Sequence, residues 1–212
     1  MPEDVFGPLA SPWSVETAVL QTLEDWADSY AAEVERKNGL SDKVIGRPLA
    51  PDSYRGGLDW QSVKQDWMPM LIAIANPVGE PERQANTYIQ AFQVEVGAVV
   101  FSEETENPEA MARRNAGLWA AACMGILVQH GDLGNSEVEE TVLVGAPKVE
   151  FIEAEDRRFA VGITTYHVYI QLIRSNSGPL LVQKEAEEPY PEWPAVKEHT
   201  VKVKAVEIDE EV

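Results

Sequence analysis

Apolar positions along the chain fall into distinct patterns, and each predicts an element. Over residues 12–37 they recur at three and four residues, as Val15, Val19, Leu23, Trp26, Tyr30 and Val34, while Glu16, Glu24, Asp25, Asp28, Glu33 and Glu35 lie mostly off that stripe. This period predicts an amphipathic helix that covers one side of a sheet, with Trp26 in the core. Ser11 before Pro12 marks its start, and Asn38-Gly39 its stop. Residues 107–131 predict a second helix of another kind. Asn107 is a good cap, Pro108 suits the first helical position, and Glu109 complements the positive end of the dipole. From Ala116 to Val128 every residue is apolar or glycine, a run too short to span a bilayer and too apolar for an ordinary surface helix. At 100° per residue Gly117, Ala121 and Gly125 form a ridge almost without side chains, opposite Met111, Leu118, Trp119, Ala122, Cys123 and Ile126. The bulky side is expected to face a core. The bare ridge is expected to admit another backbone, from the first helix or from a second subunit.

Shorter periods predict strands. Met70 to Ala75 is a continuous apolar run stopped by Asn76-Pro77, which predicts a central strand buried on both faces, and residues 79–86 read as a polar connection. Residues 87–101 alternate as a long half-buried strand, and residues 141–153 and 157–174 predict two more, joined by the tight polar link Ala154-Glu155-Asp156. Residues 40–68 carry no sustained period, only turn formers amid Tyr54, Trp60 and Trp67, with a helical turn expected around 59–65. Beyond Gly178 the chain becomes rich in proline and acid, which predicts an extended arm over 179–212; within it Val201 and Val203 alternate with lysines over 200–205 and can add as an edge strand. The expected fold is α+β. Residues 1–178 form a single domain, a mainly antiparallel four-stranded sheet with two packed helices in the order α-β-β-α-β-β, a long loop after the first helix, and the acidic C-terminal arm behind it.

Charge and chemistry narrow the function. A formal net charge of −19, from 36 acidic and 17 basic residues, argues against binding to a phosphate backbone. The lone Cys123 sits inside an apolar helix and reads as a small core residue. No signal peptide or membrane-spanning segment is expected. The three histidines, His130, His167 and His199, fall at a helix end, in a strand and in the arm without metal-ligand spacing, so neither a metal nor another cofactor is expected. No nucleophile elbow, phosphate loop or dinucleotide turn occurs, and the adjacent carboxylates read as solvated pairs, so no catalytic residue is nominated. More covering surface remains than two helices and one sheet consume. The excess nominates Gly117, Ala121, Gly125, Tyr54, Trp60, Val201 and Val203 as subunit-contact residues.

The order and texture of the elements resemble tail terminator and head–tail joining proteins of long-tailed bacteriophages. The matching features run over residues 10–174: the leader into an acidic helix (SPWSVETAVLQTLEDWADSYAAEVERKNGL), the irregular loop with SYRGGLD, the strand MPMLIAIANP, the broad strand QAFQVEVGAVVF, the helix ARRNAGLWAAACMGILVQHG and the final strand pair. The resemblance implies a non-enzymatic subunit of the virion neck, assembled in the host cytoplasm. It implies a homo-oligomeric ring, typically a hexamer, that caps the tail tube protein and meets the head–tail connector protein. DNA then passes through without specific binding, and no membrane is involved. A neck or tail tube protein is the nearest rival, and a small acidic binding domain or an enzyme is the alternative from a different class.

Overall fold

The computed structural model describes residues 11–49, 51–57, 65–84, 87–101, 107–154 and 157–173, and these build one sheet with both helices on the same face. Helix α1 spans Pro12–Lys37, and its start is a reciprocal cap. The Ser11 hydroxyl accepts from the Ser14 amide at 3.2 Å, and the Ser14 hydroxyl accepts from the Ser11 amide at 3.1 Å. Its buried stripe runs at every fourth residue through Val15, Val19, Leu23, Ala27, Ala31 and Glu35. Trp26 lies off that stripe and is 41% exposed, which corrects its expected place in the core. Helix α2 spans Pro108–Gln129, with the Asn107 side chain accepting from the Ala110 amide at 3.3 Å.

Strands β1 (Tyr54–Gly56), β2 (Met70–Gln84), β3 (Thr87–Val100), β4 (Val138–Leu143), β5 (Lys148–Ala154) and β6 (Arg157–Ile173) form a mixed sheet in the order β1-β2-β3-β6-β4, with β5 also paired to β6. The expected four-stranded antiparallel sheet in the order α-β-β-α-β-β is therefore overturned: there are six strands, and β1 runs parallel to β2. Three residues are too few to display a period of two, which is why β1 sits unseen in the aperiodic stretch. Its length is set by α1. The Ala75 amide donates to Glu16 Oε1 at 2.9 Å, so a helix carboxylate takes the place of the next strand residue just beyond Gly57, whose own amide donates to the Ala73 carbonyl at 3.1 Å.

The other extra strand arises from a break. Leu143 stands opposite Tyr166 and Lys148 opposite Ile163, so residues 144–147 face only Thr164 and Thr165, and the surplus loops out at Gly145 with φ +83°. The single strand expected over 141–153 is thus two strands that share one position beside β6. Strand β2 also differs from expectation, because it continues through Asn76-Pro77 and the predicted connection to Gln84. Leu71 donates toward β1, and Ala73 and Ala75 bond on the same side, so Pro77, next in that series, occupies a position where its missing N–H is not needed. The expected helical turn is a single 3-10 turn at Gln65–Trp67, slightly later than anticipated.

The main core lies between the helices and the sheet, where Leu71, Ala73, Phe92, Val94, Val96 and Val168 meet Leu23, Trp119 and Ile126. Helix α2 comes closest to the sheet at Gly162, where an added Cβ would stand 2.0 Å from the Ala116 carbonyl oxygen. On the opposite face a smaller cluster, Met70, Ile72, Val99, Phe159 and Val161, packs with Trp67 and Met68. Cys123 is fully inside the main core, where burial pushes its thiol up to about 12. The native protein is therefore expected to resist iodoacetamide at pH 8 and to react only on unfolding. Rapid labelling of the folded chain, read by mass spectrometry, would mean that the buried side of α2 is open.

Candidate functional site

The end of α1 is fixed by a buried carboxylate. Glu35, 1% exposed, accepts from the Lys43 amide at 3.0 Å, the Ile45 amide at 2.9 Å and Arg47 Nη2 at 2.7 Å. Burial pushes this carboxyl up, but Arg47 and the two amides outweigh that effect and hold it below the ordinary glutamate value. The loop wrapped on Glu35 then presents the Ile45 carbonyl, which accepts from Trp119 Nε1 at 2.9 Å. One carboxylate thereby fastens α1, the loop and α2 together.

With the helices so held, they run antiparallel and leave a groove of about 600 Å³ between them. Ala121 and Gly125 form its floor on the α2 side. The two small residues are what make the groove, since larger side chains there would fill it. At one end the Trp26 indole stacks on the His130 imidazole, with centroids 4.1 Å apart and planes at 13°. Tyr30 meets His130 edge-on, and its hydroxyl donates to Gln129 Oε1. At the other end lie Val34 and Lys37. Glu33 on the rim is bonded by Arg36 and Lys37, which hold its carboxyl down to about 2. The groove offers a flat aromatic wall, a floor open to close approach, and hydrogen-bonding groups at Gln129 and Tyr30. Those features suit a large, partly apolar side chain.

The expected contact residues divide between several places. Ala121 lies in the groove and is half-exposed. Gly125 meets the first helix within the same chain, because a Cβ there would stand 3.0 Å from Tyr30 Cδ1. Gly117 lies over β5, its would-be Cβ 3.7 Å from Val149 Cγ2. The ridge therefore has three different neighbours along its length. Tyr54 packs half-buried against the main core, where burial, and then the negative charge of Glu24, pushes its hydroxyl up. Trp60, Val201 and Val203, the arm and its boundary at residue 178 lie outside the described residues.

Trp26, Tyr30, Gln129 and His130 were not anticipated as a group. The available signal was that Trp26 and Tyr30 sit one turn apart and off the every-fourth-residue series that begins at Val15. A second apolar hollow, about 170 Å³, lies on the far face of the sheet between Ile72, Ile74, Gly97, Ile152 and Ile163. Among the described residues no three of His, Cys, Asp or Glu are grouped to hold a metal ion, and no helix is long and apolar enough to cross a membrane. Comparison with protein-family models and with curated proteins returns no match.

Proposed function

We propose that this chain is a virion assembly protein, a phage tail terminator that forms a homo-oligomeric ring, caps the tail tube and meets the head connector without catalysing a reaction. The observation that carries this reading is the open groove on the helix layer, with its bare floor at Ala121 and Gly125 and the exposed indole of Trp26 on its rim. A solvent-facing aromatic beside a side-chain-free floor is the chemistry of a contact seat rather than of a reaction site. The net charge of −19 supports the same role, because an acidic ring lets DNA slide past without phosphate contacts. The element order of the described body agrees with the resemblance in its two helices and long central strands, although its sheet is larger than expected.

The test is the solution mass of the purified full chain, followed by electron microscopy of whatever forms. Closed rings of one size are expected. Open tubes would transfer the reading to a tail tube protein, because a tube subunit stacks on itself and a terminator does not. A monomer at every concentration would sink the assembly reading.

A further inference from the structure

We infer that the Trp13 end of α1 in one copy seats in the α1–α2 groove of the next copy, giving the ring its repeating contact. This rests on the assembly reading and names its interface. Trp13 is 73% exposed, the most exposed large apolar side chain among the described residues. A tryptophan so placed is costly to leave in water and is the residue type most often found as an interface anchor. The groove supplies what an indole needs: the Trp26 ring for stacking, the Ala121 and Gly125 floor for close approach, and the Gln129 carboxamide or Glu33 carboxylate to accept from the indole N–H.

Trp13 cannot fill the groove of its own chain. It lies thirteen residues before Trp26 on one continuous helix, which places it about 20 Å away along the axis. The knob and the seat are therefore unlike surfaces at opposite halves of one element, the heterologous arrangement that closes into rings when its rotation closes. Charge favours the same pairing. The seat carries Arg36 and Lys37 against the single carboxylate of Glu33, a local excess of one positive charge, while the ten residues ahead of Ser11 contain Glu3 and Asp4 and no basic residue. Helix polarity adds to it, because the N-terminal end of one α1 meets the C-terminal half of another.

Two full-length variants test this by sedimentation velocity. Trp13→Ala removes the knob and keeps the seat; Ala121→Leu fills the seat and keeps the knob. Each alone is expected to lose self-association, with the contact weakened about thirty-fold or more. Mixed in equal amounts they are expected to form a one-to-one heterodimer and nothing larger, because only one competent knob meets one competent seat. Assembly of Trp13→Ala like the parent chain would overturn the inference, as would a mixture that stays monomeric. Loss of assembly in Ala121→Leu alone would also overturn it, giving the groove to another occupant such as the proline-rich stretch 185–194. If circular dichroism finds Ala121→Leu unfolded, Trp26→Ser blocks the same seat from its exposed rim. A parent chain that is monomeric throughout overturns the assembly reading itself, which separates the two failures.

Discussion

Gly162→Ala is expected to lower the stability of the chain by about 3 kcal/mol or more, at the upper end of what overpacking costs. The reason is the identity of the atoms it meets. A Cβ at this position would lie 2.0 Å from the Ala116 carbonyl oxygen, 2.8 Å from the Ala116 carbonyl carbon and 3.0 Å from Ala120 Cβ. Backbone cannot swing aside as a side-chain tip can, so the whole of α2 must lift from β6. That motion pulls against the Trp119 bond to the Ile45 carbonyl and loosens Cys123, Ile126 and Leu127 in the core. For a body of this size the loss corresponds to a fall in melting temperature of roughly 6–12 °C. Thermal and urea melts followed by circular dichroism measure it directly. A variant that melts with the parent chain would show that α2 does not rest on β6 at this depth.

Glu35→Ala carries a comparable expected loss, about 3–5 kcal/mol, the range for removing one partner of a buried ion pair. Arg47, whose side chain is 13% exposed, would keep Asp28 at 2.6 Å and Asp42 at 3.3 Å, which places the outcome toward the lower end. The Lys43 and Ile45 amides would lose their acceptor as well, and Lys43 holds a left-handed φ of +62° that this carboxylate helps to fix. The pH dependence follows from the sign of the shift. The folded carboxyl is held below its unfolded value, so its contribution is fully present above about pH 5 and is lost as pH falls through the lowered folded value. Glu35→Gln is therefore expected to be less stable than the parent at pH 7 and to have a flatter stability profile below about pH 5. Urea midpoints across that range decide it, and parallel profiles for the two proteins would remove Glu35 from the acid response.

What the sequence made legible was local. Ser11-Pro12 and Asn107-Pro108 placed both helix starts correctly because capping is settled within one turn of chain. The alternation in β3 and β6 was equally plain, since long strands repeat their period many times. What stayed hidden depends on partners distant in the chain. Tyr54–Gly56 becomes a strand because β2 and Glu16 flank it, not because of its own residues. The break between β4 and β5 could be suspected from Gly145 and Pro147, but its two-residue surplus is defined only against β6.

The groove was legible in part. Its floor could be read as a ridge of small residues, whereas the neighbours of that ridge could not, and the closest backbone approach belongs to Gly162 on the strand rather than to Gly117 or Gly125 on the helix. Glu35 carried a readable signal in retrospect, because it continues the series Val15, Val19, Leu23, Ala27, Ala31 in steps of four. An acid at the end of a buried stripe calls for a cation, and here Arg47 supplies it from the stretch without a period.

Strand β2 and the broken β4–β5 position bear on how this protein stays in solution at high concentration. Pro77 removes a donor from one margin of the sheet, and Glu80, Pro81 and Glu82 follow it in an exposed segment. At the other margin the surplus at residues 144–147 divides the strand into pieces of six and seven residues, with Glu139, Glu140, Glu150 and Glu153 exposed along them. Neither margin presents a long, flat, uncharged template for backbone pairing, so runaway sheet growth between copies is suppressed from both sides. Ordered, finite contact between copies is then left to side chains on the faces of the body.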